Sequence, residues 1–326
     1  MPNPNFPADG LLATTIDYYL KRVEDNVFGS KPLLFALDAA GSVKDAPGGV
    51  KLIDPLMYAA APNAGSYAGT DVFATAANTG ITAAEHEWAQ YYGLLHWTGI
   101  EMAKNSGSQA LIPLLQTRMD QLEMTISAGL NSMLWADGAG NSGKDWNGVG
   151  AAVSASDPSW GDYGGLDRTA NTWWKPATKT ASTVNTLSLA DMANVYNTAS
   201  EGNDHPSNGF TTQTGFEAYE ALLTDNIRYQ DTSMGDAGFQ NLMFKAMPVT
   251  FDDDVEGGGT TTEQESPFYM LNLKYFSLWK LAGVWFKRGD QLRPINADVT
   301  YQNILLYGQM SCSNVSRQGV LYDIHA

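Results

Sequence analysis

The chain has 326 residues, a formal net charge of -16 and only 17% charged residues, against roughly 25% in ordinary soluble domains. That length accommodates one large domain or two of about 150 residues. The scarcity of charge predicts surface buried against partners, and the acidic balance disfavours a dedicated nucleic-acid reader, which needs a cationic face to displace counterions. The single cysteine, Cys312, excludes an internal disulfide framework and a Cys-based zinc site within one chain, and it reads as a small buried residue of a terminal strand. The opening MPNPNFPADG has neither a basic nor an apolar leader-like segment, and no run reaches membrane-span length, so a reducing compartment and no membrane partner are expected.

Residues 1–10 read as an arm. Residues 11–28 follow as an amphipathic helix with Leu12, Ile16, Tyr19, Leu20, Val23 and Val27 on one side, and a Gly/Pro-punctuated connector covers 29–49. From 49 to 99 two aromatic-rich arms, KLIDPLMYAAAP and EHEWAQYYGLLHW, flank the small-residue stretch NAGSYAGTDVFATAANTG, the pattern of a long hairpin excursion. Thr82 and Glu85 form a capping box that favours a helix from Ala83. Against it, Trp88, Tyr91, Tyr92, Leu94, Leu95 and Trp97 supply both faces of an extended arm, which is the reading adopted. A two-stranded hairpin is marginal by itself in water, so this one needs a surface to lie on, such as another copy of the chain. Leu56, Tyr58, Tyr67, Phe73, Trp88 and Tyr91 are the candidate inter-subunit contacts.

The clearest helix is 110–135, with Leu111, Leu115, Leu122, Ile126, Leu130 and Met133 at helical spacing and Pro113 near its first turn. It exits through ADGAGNSGKDW, which comes within one residue of a phosphate-binding loop. Asp145 stands where the magnesium-holding Ser or Thr belongs, and the segment closes a helix instead of following a strand, so Gly138 reads as a left-handed helix cap. Residues 146–185 are turn-rich and 187–200 form a helix. Strands are then expected in FTTQTGFEAYEALL, FQNLMFKAMPVTF, FYMLNLKYFSLWKLAGVWF and NILLYGQMSCSNV, with the polar loop DDDVEGGGTTTEQES between the second and third.

No catalytic constellation emerges. The four histidines (His86, His96, His205, His325) lack zinc spacing, and no G-x-S-x-G elbow occurs. Asp252, Asp253, Asp254 and Glu256 offer hard oxygen ligands without the spacing of a calcium loop, so a solvated loop is the primary reading and a metal site the alternative. Trp160, Trp173 and Trp174 with Asp162 or Asp167 make a carbohydrate-active site in 146–175 the alternative function, one that requires two carboxyls at a defined separation. Residues 270–326 carry six basic against three acidic side chains, and the rest of the chain 13 against 32. Lys274, Lys280, Lys287, Arg288 and Arg293 interleave with aromatics, a weak nucleic-acid footprint inside an acidic chain.

The order of KLIDPLMYAAAPNAGSYAGTDVF, ITAAEHEWAQYYGLLHWTGIEMAKNSG, YEALLTDNIRYQD, GDAGFQNLMFKAMPVTFDDD and YQNILLYGQMSCSNVSRQGVL resembles the major capsid proteins of tailed double-stranded DNA phages, from about residue 11 to the C-terminus. The resemblance implies the Hong Kong 97-type α+β capsid fold. On it, 1–48 is an N-terminal arm, 49–99 an extended β-hairpin loop, 100–139 with 266–326 a peripheral domain containing the long spine helix, and 140–265 an axial domain. It also implies a structural, non-enzymatic protein without cofactors, assembled in the host bacterial cytoplasm and resident in the virion capsid. The implied partners are other copies in pentamers and hexamers, a separate scaffold, a portal, decoration proteins and, non-specifically on the inner face, packaged double-stranded DNA. No residues matching the Lys–Asn cross-link of some members are found.

Overall fold

The computed structural model describes residues 26–27, 29, 31–60, 63–73, 79–104, 111–154, 161–183, 186–223, 241–255, 266–322 and 324. The arm at 1–10 and nearly all of the helix read at 11–28 lie outside the described residues.

The connector read at 29–49 holds a helix and a strand. Helix α1 (Pro32–Ala39) begins with proline in its first turn, where the missing N–H costs nothing. Strand β1 (Val43–Ala46) runs parallel to β12 (Phe276–Leu281). Strands β2 (Leu52–Met57) and β3 (Ile81–His86) form a two-stranded antiparallel hairpin. Contrary to the capping box, the return arm is strand and not helix. It breaks at Glu87–Trp88 and continues as β4 (Ala89–Thr98), which leaves the hairpin and pairs over ten residues with the long β14 (Val299–Cys312). Only 52–86 is therefore hairpin, and the second half of the arm belongs to the body.

Strands β1, β12, β14, β13 (Lys287–Leu292) and β4 make a five-stranded sheet. After the short α2 (Gly99–Lys104), helix α3 (Leu111–Trp135) packs on β4. Leu122 and Ile126 sit so close to Gly93 that a Cβ there would lie 2.7 and 2.9 Å from their terminal methyls, and glycine lets helix and strand touch. Met119, Leu122, Ile126, Leu130 and Leu134 of α3, Leu95 and Trp97 of β4, Ile304 and Leu306 of β14, and Leu33, Leu34 and Leu37 of α1 form one core.

The second sheet has six strands in the order β7 (Ala177–Thr180), β15 (Gly319–Tyr322), β11 (Phe268–Leu271), β8 (Asn208–Thr211), β10 (Met247–Phe251), β9 (Leu242–Phe244). Helices α4 (Leu189–Ala199) and α5 (Gln213–Leu222) pack on it. Between them, Met192, Val195, Phe216, Tyr219, Met247, Val249, Phe268 and Met270 form a second core. Helix α5 corrects the strand expected in FTTQTGFEAYEALL: Thr212 caps it by accepting from the Gly215 N–H, and Phe216 and Tyr219 then share a buried face. Strands β11 and β15 also lie in this sheet, so a boundary at 266 cuts through it. The end of α3 reaches the second sheet, with the Trp135 ring 5.5 Å from Phe210 of β8 and 5.4 Å from Tyr269 of β11, and these two rings belong to the first core.

Candidate functional site

Alternation dictates what the hairpin presents. Leu52, Asp54 and Leu56 of β2 point into the body, whereas Ile53, Pro55 and Met57 face out, as does Ile81 of β3. The outward apolar side chains are strongly exposed, Met57 at 81% and Ile81 at 69%. Beyond them Tyr67 and Phe73 pack edge to face at 5.1 Å while both stay exposed, and Val72 is 96% exposed. Clustering of large apolar side chains on one projecting element marks an interaction surface, whereas scattered ones are ordinary.

The six candidate contacts separate. Tyr67 and Phe73 stand at the free end, and Tyr58, 42% exposed, stacks on Trp173 of its own chain. Leu56 and Tyr91 instead serve their own chain: Leu56 is in the core, and Tyr91 packs against it with its hydroxyl filling the space left by Gly129 of α3. Trp88 donates its indole N–H to the Gly49 carbonyl at 2.9 Å, closing the hairpin base. Ile53, Met57, Val72 and Ile81 were missed. The alternation of LIDPLM, with Leu52, Asp54 and Leu56 in one register, was the signal for the first two.

At its base the hairpin rests on strands β5 (Asp162–Tyr163) and β6 (Leu166–Asp167) and the turn joining them. The Glu85 N–H donates to the Gly164 carbonyl at 2.9 Å. Gly164, at φ +60°, is both left-handed and tight: a Cβ would come within 2.7 Å of the Ala84 methyl. A groove of about 910 Å³ opens beside this base, walled by Trp88, Tyr92, Leu94, Leu305, Tyr307 and Lys144 among others.

Trp160 lies outside the described residues, and several of the other sequence candidates are engaged within their own chain. Gly138 has a left-handed φ of +80° but lies three residues beyond Trp135, the last residue of α3, and Lys144 caps the following turn. Asp252 corrects the solvated-loop reading: it is buried and accepts from Asn131 Nδ2 at 2.8 Å, while Asp254 accepts from Asn131 and from Lys31 Nζ. Burial raises the Asp252 carboxyl above its usual range. Glu256 lies outside the described residues, and among these no cluster of three acidic, His or Cys ligands could hold a metal ion. Trp174 is buried and donates to the Tyr163 carbonyl. Asp162 and Asp167 face each other across β5–β6, but hydrogen bonds from Thr169 hold the Asp167 carboxyl below its usual range, opposite to what a general acid needs. Lys274 is engaged by Asp204, and Lys280 lies 3.7 Å from Asp45. Burial pushes the Cys312 thiol up to about 12. No described helix is long and apolar enough to cross a membrane.

No protein-family model and no curated protein matches the sequence. Among solved structures, the chain is similar to the capsid asymmetric unit of cyanophage A-1(L), at 15% identity over 91% of this chain and 93% of that one, TM-score 0.66. It is also similar to the capsid of a native GTA particle, at 9% identity over 89% and 90%, TM-score 0.58. The SrpI encapsulin complex from Synechococcus elongatus PCC 7942 matches at 8% identity over 89% and 88%, TM-score 0.54. The chain has the mixed α and β fold of tailed-phage major capsid proteins, over nearly its whole length.

Proposed function

We propose that this chain is a structural shell subunit: the major capsid protein of a tailed phage, self-assembling through pentamers and hexamers into an icosahedral shell around the genome. The observation that carries the proposal is the β2–β3 hairpin. Its two strands pair with no other strand among the described residues, and its outer side and free end expose Ile53, Met57, Tyr67, Val72, Phe73 and Ile81. Such an element gains its stability by lying on a neighbour, and obligate interfaces of this kind bury on the order of 2,000 Å² or more. On this reading the hairpin is the extended loop, α3 the spine, the first sheet the body of the peripheral domain, and the second sheet with α4 and α5 the axial domain.

The groove beside the hairpin base is the proposed seat for a neighbour's hairpin end, since it offers Trp88, Tyr92 and Leu94 to apolar partners. Its role is geometric and no enzymatic step is assigned. A scaffold, a portal, decoration proteins and packaged double-stranded DNA are the remaining partners this role calls for, with assembly in the bacterial cytoplasm and residence in the virion. Replacing Val72 and Phe73 together by Asp tests the proposal. The variant subunit should keep the wild-type circular dichroism and urea midpoint yet form no rings or shells, and normal particle yield would refute the hairpin's role.

A further inference from the structure

The hairpin's inner face contains a polar pair that its apolar function does not call for. Asp54 of β2 stands opposite Ala84, and His86 of β3 opposite Leu52, so the two are diagonal neighbours on the face turned to the body. His86 is 1% exposed and Asp54 9%. Among the described residues, neither imidazole nitrogen nor the Asp54 Oδ2, all buried, has a hydrogen-bond partner. Each such orphan disfavours the docked state while it stays buried, because it gives up water and gains no partner. A joint meant to stay closed would carry apolar residues there, as the next inward position, Leu56, does.

What buries His86 is the docking of the hairpin itself. Its ring lies 5.0 Å from the Tyr163 ring, against Gly164 of the β5–β6 turn. Tyr163 is in turn covered by Arg168, 5.2 Å over its ring, and its hydroxyl accepts from the Cys312 N–H. The groove alongside carries Glu85, Glu87, Lys144 and Asp145, with Glu85 bound by Lys51 on the outer side. Of these groups Asp54 is the carboxylate whose charge favours the imidazolium, and burial outweighs it, holding the His86 pKa below the usual 6.5.

We propose that the Asp54–His86 seat is a proton-sensitive joint: protonation of His86 lifts the β2–β3 hairpin off the body of its own chain, so that mild acid frees the hairpin to take another pose. The sign follows from linkage. The undocked hairpin exposes His86 to water and restores its ordinary affinity for a proton, whereas the docked state resists protonation. Docking is therefore fully stable above pH 6.5 and weakens as the pH falls through 6.5 toward the docked value. The bound on the effect is a gain of about tenfold in the undocked population between pH 7.5 and 5.5. This concerns one chain's own hairpin and stands whether or not the chain assembles.

The test is hydrogen exchange with mass spectrometry on the isolated full chain at pH 7.5 and 5.5, corrected for intrinsic rates. Protection of 52–57 and 81–86 should fall by up to about tenfold in acid, with α4 unchanged, and His86→Leu should abolish the fall. Asp54→Asn, lacking the favouring charge, should keep or deepen it. Unchanged or increased protection in the wild type, or the same fall in His86→Leu, overturns the proposal. If His86→Leu does not fold, imidazole carbon signals of the wild type serve instead, with only four histidines to assign. His86 should titrate below 6.5, and titration at or above that value overturns the joint.

Discussion

Tyr58 and Trp173 stack with ring centroids 5.0 Å apart and 17° between their planes, clamping the end of β2 to the segment after β6. The clamp sits where the hairpin leaves the body, so it sets the direction in which the apolar free end projects. Offset aromatic pairs contribute about 0.5–1.5 kcal/mol beyond area burial. Tyr58→Ala should therefore loosen the hairpin by that amount while leaving both cores intact. Limited proteolysis within 59–80 should accelerate severalfold with little change in the global melting temperature; unchanged cleavage would deny the clamp.

Gly148 marks the exit of the spine. A Cβ there would lie 2.3–2.6 Å from the carbonyl oxygens of Met133, Leu134 and Ala136, backbone atoms that cannot swing aside. Gly148→Ala should destabilise the chain by about 3 kcal/mol or more, read as a drop in the urea midpoint, whereas Gly143→Ala, with open space around its Cβ position, should cost far less through its left-handed φ of +74°.

Asp252 makes stability depend on pH in an uncommon direction. Its carboxyl is raised from 3.8 by burial, so the native state holds the proton more tightly than the unfolded chain does. Its contribution is fully present below pH 3.8 and is lost as the pH rises through the native value. Urea unfolding of wild type and Asp252→Asn across pH 4–7 should show the difference moving in favour of the variant as pH increases. A difference that is flat, or that moves the other way, would contradict the assignment.

Cys312 is fully buried, its backbone N–H held by Tyr163 and its thiol pushed up to about 12. A thiol reagent at pH 8 should find no reactive group in the native chain and one equivalent after denaturation. Fast labelling of the native chain would place the end of β14 at the surface.

Much of this architecture was legible in the residues. The spine was, because helical periodicity runs through 25 residues and a glycine with left-handed φ follows three residues after its end. The extended character of the return arm was also legible, because aromatics on both sides outweighed the Thr82–Glu85 box. Helix α5 was not, since Thr212, Phe216 and Tyr219 lie in a stretch whose Phe and Thr content equally suits a strand, and tertiary packing on β8 and β10 decides it. The candidate contacts divided for a related reason. Aromatic identity flagged Tyr91, but only pairing with β14 and packing on α3 turn it inward. The Asp54–His86 pair was invisible because it exists only once the β2–β3 register is set.

Assembly through the hairpin can be read from the mass of the purified chain by size exclusion with light scattering, with the same fractions imaged by negative stain, alone and co-expressed with any scaffold protein encoded beside it. Pentamers, hexamers or closed shells are expected. A chain that stays a stable monomer under both conditions would contradict it.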